Sequence, residues 1–183
     1  MRKNLLMIGF AVLFIVIAVS RIEILSVDEY YLTHIDDIKK DSQVVTVSIR
    51  CDTILNNMDK LAPELRDEKY VPRDGIILEE TQYVLRPGDT VFDVLNRAVR
   101  YNKIHMEYQG ERDNVYGSAY IRGINHLYEY SCGHLSGWMY KVNGKYPGYG
   151  ISKYKLKDRD KVEFVYTCDL GRDVGGSFYS ERN

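Results

Sequence analysis

Cysteine is scarce in this 183-residue chain and is not spaced to hold a metal. Cys51, Cys132 and Cys168 are the whole supply, no C-x-x-C occurs, and the four histidines are scattered, so no zinc pattern can be assembled. An excess of one charge is also missing, with 25 Lys+Arg against 26 Asp+Glu and no basic stripe. Nucleic-acid binding needs a concentrated positive field to displace counterions, so that class of partner is disfavoured. There is no internal repeat and no low-complexity segment. With 28% charged and 45% hydrophobic residues, the composition is that of a folded globular chain. Tryptophan occurs once and phenylalanine 5 times, whereas tyrosine occurs 16 times. Tyrosine joins a large apolar body to a polar tip, which suits half-exposed sheet faces and binding surfaces.

One uncharged apolar run is present, from Leu5 to Val19, preceded by Arg2 and Lys3 and closed by Ser20 and Arg21. As a helix it spans roughly 22 Å, short of a ~30 Å hydrocarbon core. Snorkelling by Lys3 and Arg21 makes up the difference, so residues 5–20 read as a membrane anchor. The alternative is a signal peptide removed after export, because Ala18 and Ser20 supply the small residues of a cleavage site. Positive charge before the run, with Glu23, Asp28 and Glu29 after it, orients the N-terminus inward. Both readings put everything after Arg21 outside the cytoplasm. The expected organisation is an anchor or signal over 1–20, a charged tether over 21–41, a folded domain over 42–175 and a tail over 176–183.

The domain opens with "QVVTVSIRC", where Val45, Val47, Ile49 and Cys51 alternate with Thr46, Ser48 and Arg50 as in a half-buried strand. Ile54, Leu55, Met58 and Leu61 then fall at helical spacing, with Asp52 or Thr53 as N-cap. A strand running to Leu85 or Arg86 is followed by Pro87-Gly88 and a helix over 90–103. That helix is capped by Asp89 or Thr90 and carries Val91, Phe92, Leu95, Ala98 and Val99 on one stripe. Tyrosine-rich strands follow, then "GWMYKVNG", whose Asn143-Gly144 is a strong hairpin signal. The last strand places Val162, Phe164, Tyr166 and Cys168 on one face beyond a turn at Asp158-Arg159-Asp160. One helix cannot cover both faces of a parallel sheet, so the class is α+β. A β-grasp-like mixed sheet fits this order, with the first strand beside the last and one main helix packed over them. In that register Cys51 and Cys168 end the same apolar face, and the expected disulfide joins them. Closing so long a loop stabilises by roughly 4–5 kcal/mol.

The segment "CGHLSGWMYKVNGKYPGYGISKYKLKDRDKVEFVYTCDLGRDVG", with "YVLRPGDTVFDVLNRAV" and "VTVSIRCDTIL", resembles the transcobalamin-like C-terminal domain family of exported bacterial proteins. The resemblance covers about residues 44–175. It implies a β-grasp-like, extracytoplasmic binding or interaction module without catalytic activity. Ile151 stands where members often carry a further cysteine, a difference that fits the Cys51–Cys168 pairing. Cobalamin carriers hold their ligand between this small domain and a large helical barrel. These 183 residues have no room for such a barrel, so a corrinoid is a possible ligand and not an implied one.

Two readings remain for the aromatic ribbon "SGWMYKVNGKYPGYG". Trp138, Tyr140 and Val142 share a strand face and are either core or part of a ligand contact. Tyr146 and Tyr149 at the tip, with Tyr128 and Tyr130 at the edge, form a candidate platform for a flat small molecule or a surface glycan. The ligand-binding candidates are therefore Tyr128, Tyr130, Trp138, Tyr140, Tyr146 and Tyr149. A surface protein is the alternative partner, through exposed strands. Cys132-Gly133-His134 offers a thiol and an imidazole, but two residues apart in a loop they seldom face each other and no orienting third group is evident. The chain is expected not to be an enzyme. Asp158, Asp160, Asp169 and Asp173 lack calcium-loop spacing and read as turn and capping groups, so no metal or cofactor is expected.

Overall fold

The computed structural model describes residues 37–176, so the expected anchor and most of the expected tether and tail lie outside the described residues. Among the described residues no helix is long and apolar enough to cross a membrane. Among the described residues the fold is mixed α+β, with two sheets and a single α-helix. The larger sheet has the order β2-β1-β7-β6, built from β1 (Val44–Arg50), β2 (Ile76–Val84), β6 (Gly137–Val142) and β7 (Lys161–Thr167). β1 and β7 are parallel, pairing Val47 with Val162 and Ile49 with Phe164. Both outer pairs, β1 with β2 and β6 with β7, are antiparallel. The first strand thus lies beside the last in the middle of the sheet, the neighbour relation on which the expected arrangement rested.

Alternation explains the core. Val45, Val47, Ile49, Val162 and Phe164 are at most 1% exposed and face α1 (Val91–Tyr101). From the helix, Val91, Val94, Leu95, Ala98 and Val99 enter the same cluster. Phe92, expected in the stripe, is only partly buried, and Val94 takes its place. Cys51, Tyr166 and Cys168 continue the strand rows into a second cluster with Ile54, Leu61, Val71, Leu127 and Cys132.

Thr90 is the N-cap of α1, and the cap is reciprocal. Its hydroxyl accepts from the Asp93 N–H, and the Asp93 carboxylate accepts from the Thr90 N–H. Asp89 does different work. Its carboxylate accepts from the Arg86 N–H at 2.8 Å and from the Arg97 guanidinium at 2.8 Å, while Arg97 also donates to the Val84 carbonyl. The pair is nearly buried, with side chains 9% and 12% exposed.

The second sheet is separate and was not anticipated as such. β3 (Met106–Gln109), β4 (Tyr120–Ile124) and β5 (Leu127–Tyr128) form an antiparallel set. Asn125 and His126 turn the chain between β4 and β5 with φ of 50° and 64°. Left-handed φ at both central residues matches the twist a tight hairpin needs.

Two expectations are corrected. The helix expected from Ile54 to Leu61 is instead a pair of short 3₁₀ turns, Asp52–Asn56 and Pro63–Leu65, and Leu55 is exposed. The Asn57 side chain donates to the Thr53 carbonyl, a side-chain-to-backbone bond of the kind that competes with helix propagation. Cys51 caps the first turn without a side-chain bond, so neither Asp52 nor Thr53 is the cap. The second correction concerns the disulfide, because all three cysteines are free thiols. Since Arg50 pairs with Val165, Cys51 stands opposite Tyr166. Cys168 lies two residues further along, about 6.6 Å up the strand.

Removing one partner of a buried ion pair leaves the other charge uncompensated. Arg97→Ala is therefore expected to destabilise the domain by about 3 kcal/mol, and Thr90→Ala by about 1 kcal/mol. Urea denaturation followed by circular dichroism checks both, and similar losses in the two variants would contradict the difference in burial.

Candidate ligand-binding site

The Asn143-Gly144 turn has φ of 52° and 74°, as the sequence pattern requires. Val142 turns its N–H and carbonyl to Lys145 across this turn. With the two-residue period of a strand, the peptide groups of Trp138 and Tyr140 point the same way, off the edge of the sheet. Among the described residues no strand pairs with β6 on that side.

A cavity of about 380 Å³ lies along this edge. β6 supplies Trp138, Met139 and Tyr140, and Phe164 of β7 lies behind them. The facing wall comes from Tyr116 to Ile121, and Gly150 and Ile151 close one end. Tyr140 stacks near Phe164 with ring centroids 6.2 Å apart, and Tyr116 stacks on Tyr120 at 5.4 Å. Trp138 meets Tyr166 edge to face at 5.2 Å, and its indole N–H donates to the Leu127 carbonyl at 2.7 Å. The indole is thereby fixed in orientation, and its polar tip is satisfied within the protein.

The end wall is held by backbone bonds. The first N–H groups of a helix lack partners within it. Here the Val91 and Phe92 N–H groups donate to the Tyr154 and Ile151 carbonyls, which fastens the 150–156 segment to the start of α1. Ser118 and Ser152 hydroxyls lie 2.9 Å apart, and each accepts from backbone at the other's loop. A Cβ on Gly150 would sit 2.2 Å from the Ser118 side chain, so only glycine allows this approach.

The candidate tyrosines divide. Trp138 and Tyr140 line the cavity. Tyr130 is 66% exposed and lines an adjoining cavity of about 320 Å³, which shares Tyr120, Trp138 and Met139 with the first. Tyr128 packs its ring over Gly123, against His105 at 6.0 Å. Tyr146 lies beneath Lys141 Nζ at 5.2 Å and donates to the Val174 carbonyl at 2.7 Å. Tyr149 is 67% exposed, packs edge-on to Tyr154, and accepts from the Tyr140 hydroxyl through its carbonyl at 2.5 Å. Neither Tyr146 nor Tyr149 reaches the cavity wall, so the expected platform is not one surface. Tyr116, Tyr120, Ile121 and Met139 were missed. Met139 and Trp138 point to opposite strand faces in an alternation argument, yet at an unpaired edge both reach the same groove.

Cys132 and His134 do not form a nucleophile–base pair, since Cys132 Sγ donates to the Asn57 carbonyl at 3.4 Å. The carboxylates set aside as turn groups have local partners. Asp158 accepts from the Val44 N–H, Asp160 from the Lys157 N–H, Asp169 from Arg172, and Asp173 from the Cys168 N–H. Among the described residues no cluster of His, Cys, Asp or Glu is arranged to hold a metal ion.

Fold and cleft together define a small α+β domain with an apolar groove at an open sheet edge. Residues 88–167 match the family described as "Domain of unknown function (DUF4430)". Among solved structures, haptocorrin in complex with Cbi is similar at 15% identity with a TM-score of 0.45. That alignment covers 73% of this chain and 27% of the haptocorrin chain. No curated protein matches.

Burial raises the Tyr140, Tyr146 and Tyr166 hydroxyls to about 12 from an ordinary 10.0. The folded state holds these protons more tightly than the unfolded chain does. Their contribution to stability is thus intact below pH 10 and declines as the pH rises from 10 to 12. Tyrosinate absorbance in native protein at pH 11 should show these three still protonated, whereas full ionisation without unfolding would contradict their burial.

Proposed function

We propose that the domain is a non-catalytic capture module. In this reading it takes a planar, largely apolar small molecule, or the planar part of a larger one, into the cleft between β6 and residues 116–121. The observation that carries this is the cavity itself. At about 380 Å³, walled by Trp138, Met139, Tyr140, Tyr116, Ile121 and Phe164, it falls within the ~300–1,000 Å³ range of small-molecule sites. Planar π surfaces stack on such rings in offset or edge-on geometry. The outward peptide groups of Trp138 and Tyr140 would fix the ligand's polar rim by hydrogen bonds. A corrinoid is the family-suggested candidate. It would dock by one edge, since the cavity is at the small end of that range. Export through residues 5–20, either as an uncleaved anchor or as a cleaved signal, places the module outside the cytoplasm in this reading. A surface glycan would use the same rings.

The second reading is a protein–protein module at the cell surface. It is favoured by the exposure of Tyr108, Val115 and Tyr116, at 44%, 95% and 70%, of which Tyr116 lines the cleft. Val115 and Tyr116 are neighbours in the chain, and adjoining exposed apolar side chains suit an interface.

Titrating the full-length chain with 8-anilinonaphthalene-1-sulfonate, and separately with cyanocobalamin, tests the small-molecule reading. Trp138 fluorescence should be quenched saturably at micromolar probe. Met139→Ala and Tyr116→Ala should each weaken binding about tenfold, equivalent to about 1.4 kcal/mol. Saturable binding of cyanocobalamin would identify a corrinoid as a ligand. Quenching by neither probe up to millimolar concentration, or quenching indifferent to both substitutions, would discard the cleft as the site.

A further inference from the structure

We infer that Cys132 and Cys168 are a disulfide-forming pair and that Cys51 is not a member of it. Both sulfurs line one cavity, beside Asn57. Both also touch the turn Asp52–Asn56 and the residue after it. Cys132 Sγ donates to the Asn57 carbonyl at 3.4 Å, and Cys168 Sγ lies 3.8 Å from Thr53 Oγ1. Asn57 and Thr53 are themselves joined by a 2.9 Å hydrogen bond, so a single turn holds both thiols in one place. Cys51 begins that turn from the other side. Its N–H donates to the Gly75 carbonyl, and its thiol is influenced by Asp52 and Asp74, not by either cysteine.

The backbone around the pair is already set. The Cys132 N–H donates to Ser136 Oγ, and the Cys168 N–H donates to the Asp173 carboxylate. Both segments are thus held beside one turn, and neither needs to unwind for the two side chains to turn towards each other. Both thiols line a cavity of about 370 Å³ that also holds Lys60, His134 and Asp169, which gives an oxidant a route once the loop opens or while the chain folds.

Burial raises both thiols, Cys168 to about 12, while on Cys132 the Cys168 hydrogen bond and the Lys60 charge act in the opposite direction. Cys132 is accordingly the attacking group. Its thiolate, having released a proton, displaces one glutathione thiolate from glutathione disulfide. The Cys168 thiolate then attacks the Cys132 sulfur of the mixed disulfide and releases the second glutathione. Two electrons pass from the protein thiols to glutathione disulfide, and the two protons end on the two glutathione thiols. The product bond ties the loop before β6 to the end of β7.

The full-length chain, denatured and reduced, is refolded in mixed reduced and oxidised glutathione, alkylated and mapped as non-reduced peptides. A Cys132–Cys168 cross-link with Cys51 alkylated is the expected result. Oxidation should raise Tm by on the order of 5–10 °C, an increment retained in Cys51→Ser and absent in Cys132→Ser and Cys168→Ser. A cross-link through Cys51, or full alkylation of all three with equal Tm in both buffers, overturns the inference. The map of the unsubstituted chain decides the matter even if a serine variant fails to fold.

Discussion

The parallel pairing of β1 with β7 is the constraint on which the rest of the domain depends. Parallel neighbours cannot be joined by a tight turn. The intervening chain must therefore leave the sheet and return, and it does so through β2, α1, the second sheet and β6. Each excursion is shaped by where the central pair places its apolar rows. Val45, Val47 and Ile49 beside Val162 and Phe164 make a floor that only an apolar helix stripe can cover. The same rows run on to Cys51, Tyr166 and Cys168, and the short turns at Asp52–Asn56 and Pro63–Leu65 cover that end. A strand at each chain end of the domain also makes this a fold of long-range contacts, which places its assembly among the slower topologies.

The cleft follows from the edge of that sheet. β6 is bonded to β7 on one side only, and the chain beyond the Asn143-Gly144 turn does not continue as a paired strand. Residues 150–156 are drawn away because the first N–H groups of α1 need acceptors, and Ile151 and Tyr154 provide them. The groove is what remains between a strand edge and a segment recruited to cap a helix. Its shape thus derives from backbone hydrogen-bond satisfaction, while its apolar lining derives from Trp138, Tyr140 and Met139. An unpaired strand edge invites association unless it is covered or used. Here rings cover it from both sides, leaving a slot.

Much of this was legible in the sequence where a local rule decides the outcome. Strict alternation in Val45–Cys51 and Val162–Cys168, the Thr90 cap with its helix stripe apart from Phe92, and the Asn143-Gly144 turn formed as read. The misreadings share a cause, which is that the decisive partner is distant in sequence. Helical spacing of Ile54, Leu55, Met58 and Leu61 gave way to a turn that packs beneath Tyr166. Cys168 lies two residues beyond the position opposite Cys51 because register along β7, not face, decides which residues stand together. Trp138 and Tyr140, both candidates on a readable strand, line the cleft. Tyr116, Tyr120 and Ile121 escaped because only the folded chain brings the second sheet against β6. Tyr146 and Tyr149 looked like a platform by composition, and their partners, Val174, Lys141 and Tyr154, draw them elsewhere.

The central claim is that the β6 edge cleft is where a planar apolar molecule binds. The most direct test labels methionine methyl groups with carbon-13 in the full-length chain and follows their resonances as 8-anilinonaphthalene-1-sulfonate is added. Met139 lines the cleft, whereas Met58 and Met106 pack in other parts of the domain. The account predicts a saturable shift of the Met139 methyl while Met58 and Met106 stay in place. An unmoved Met139 with the probe demonstrably bound, or equal shifts at all three, would contradict it.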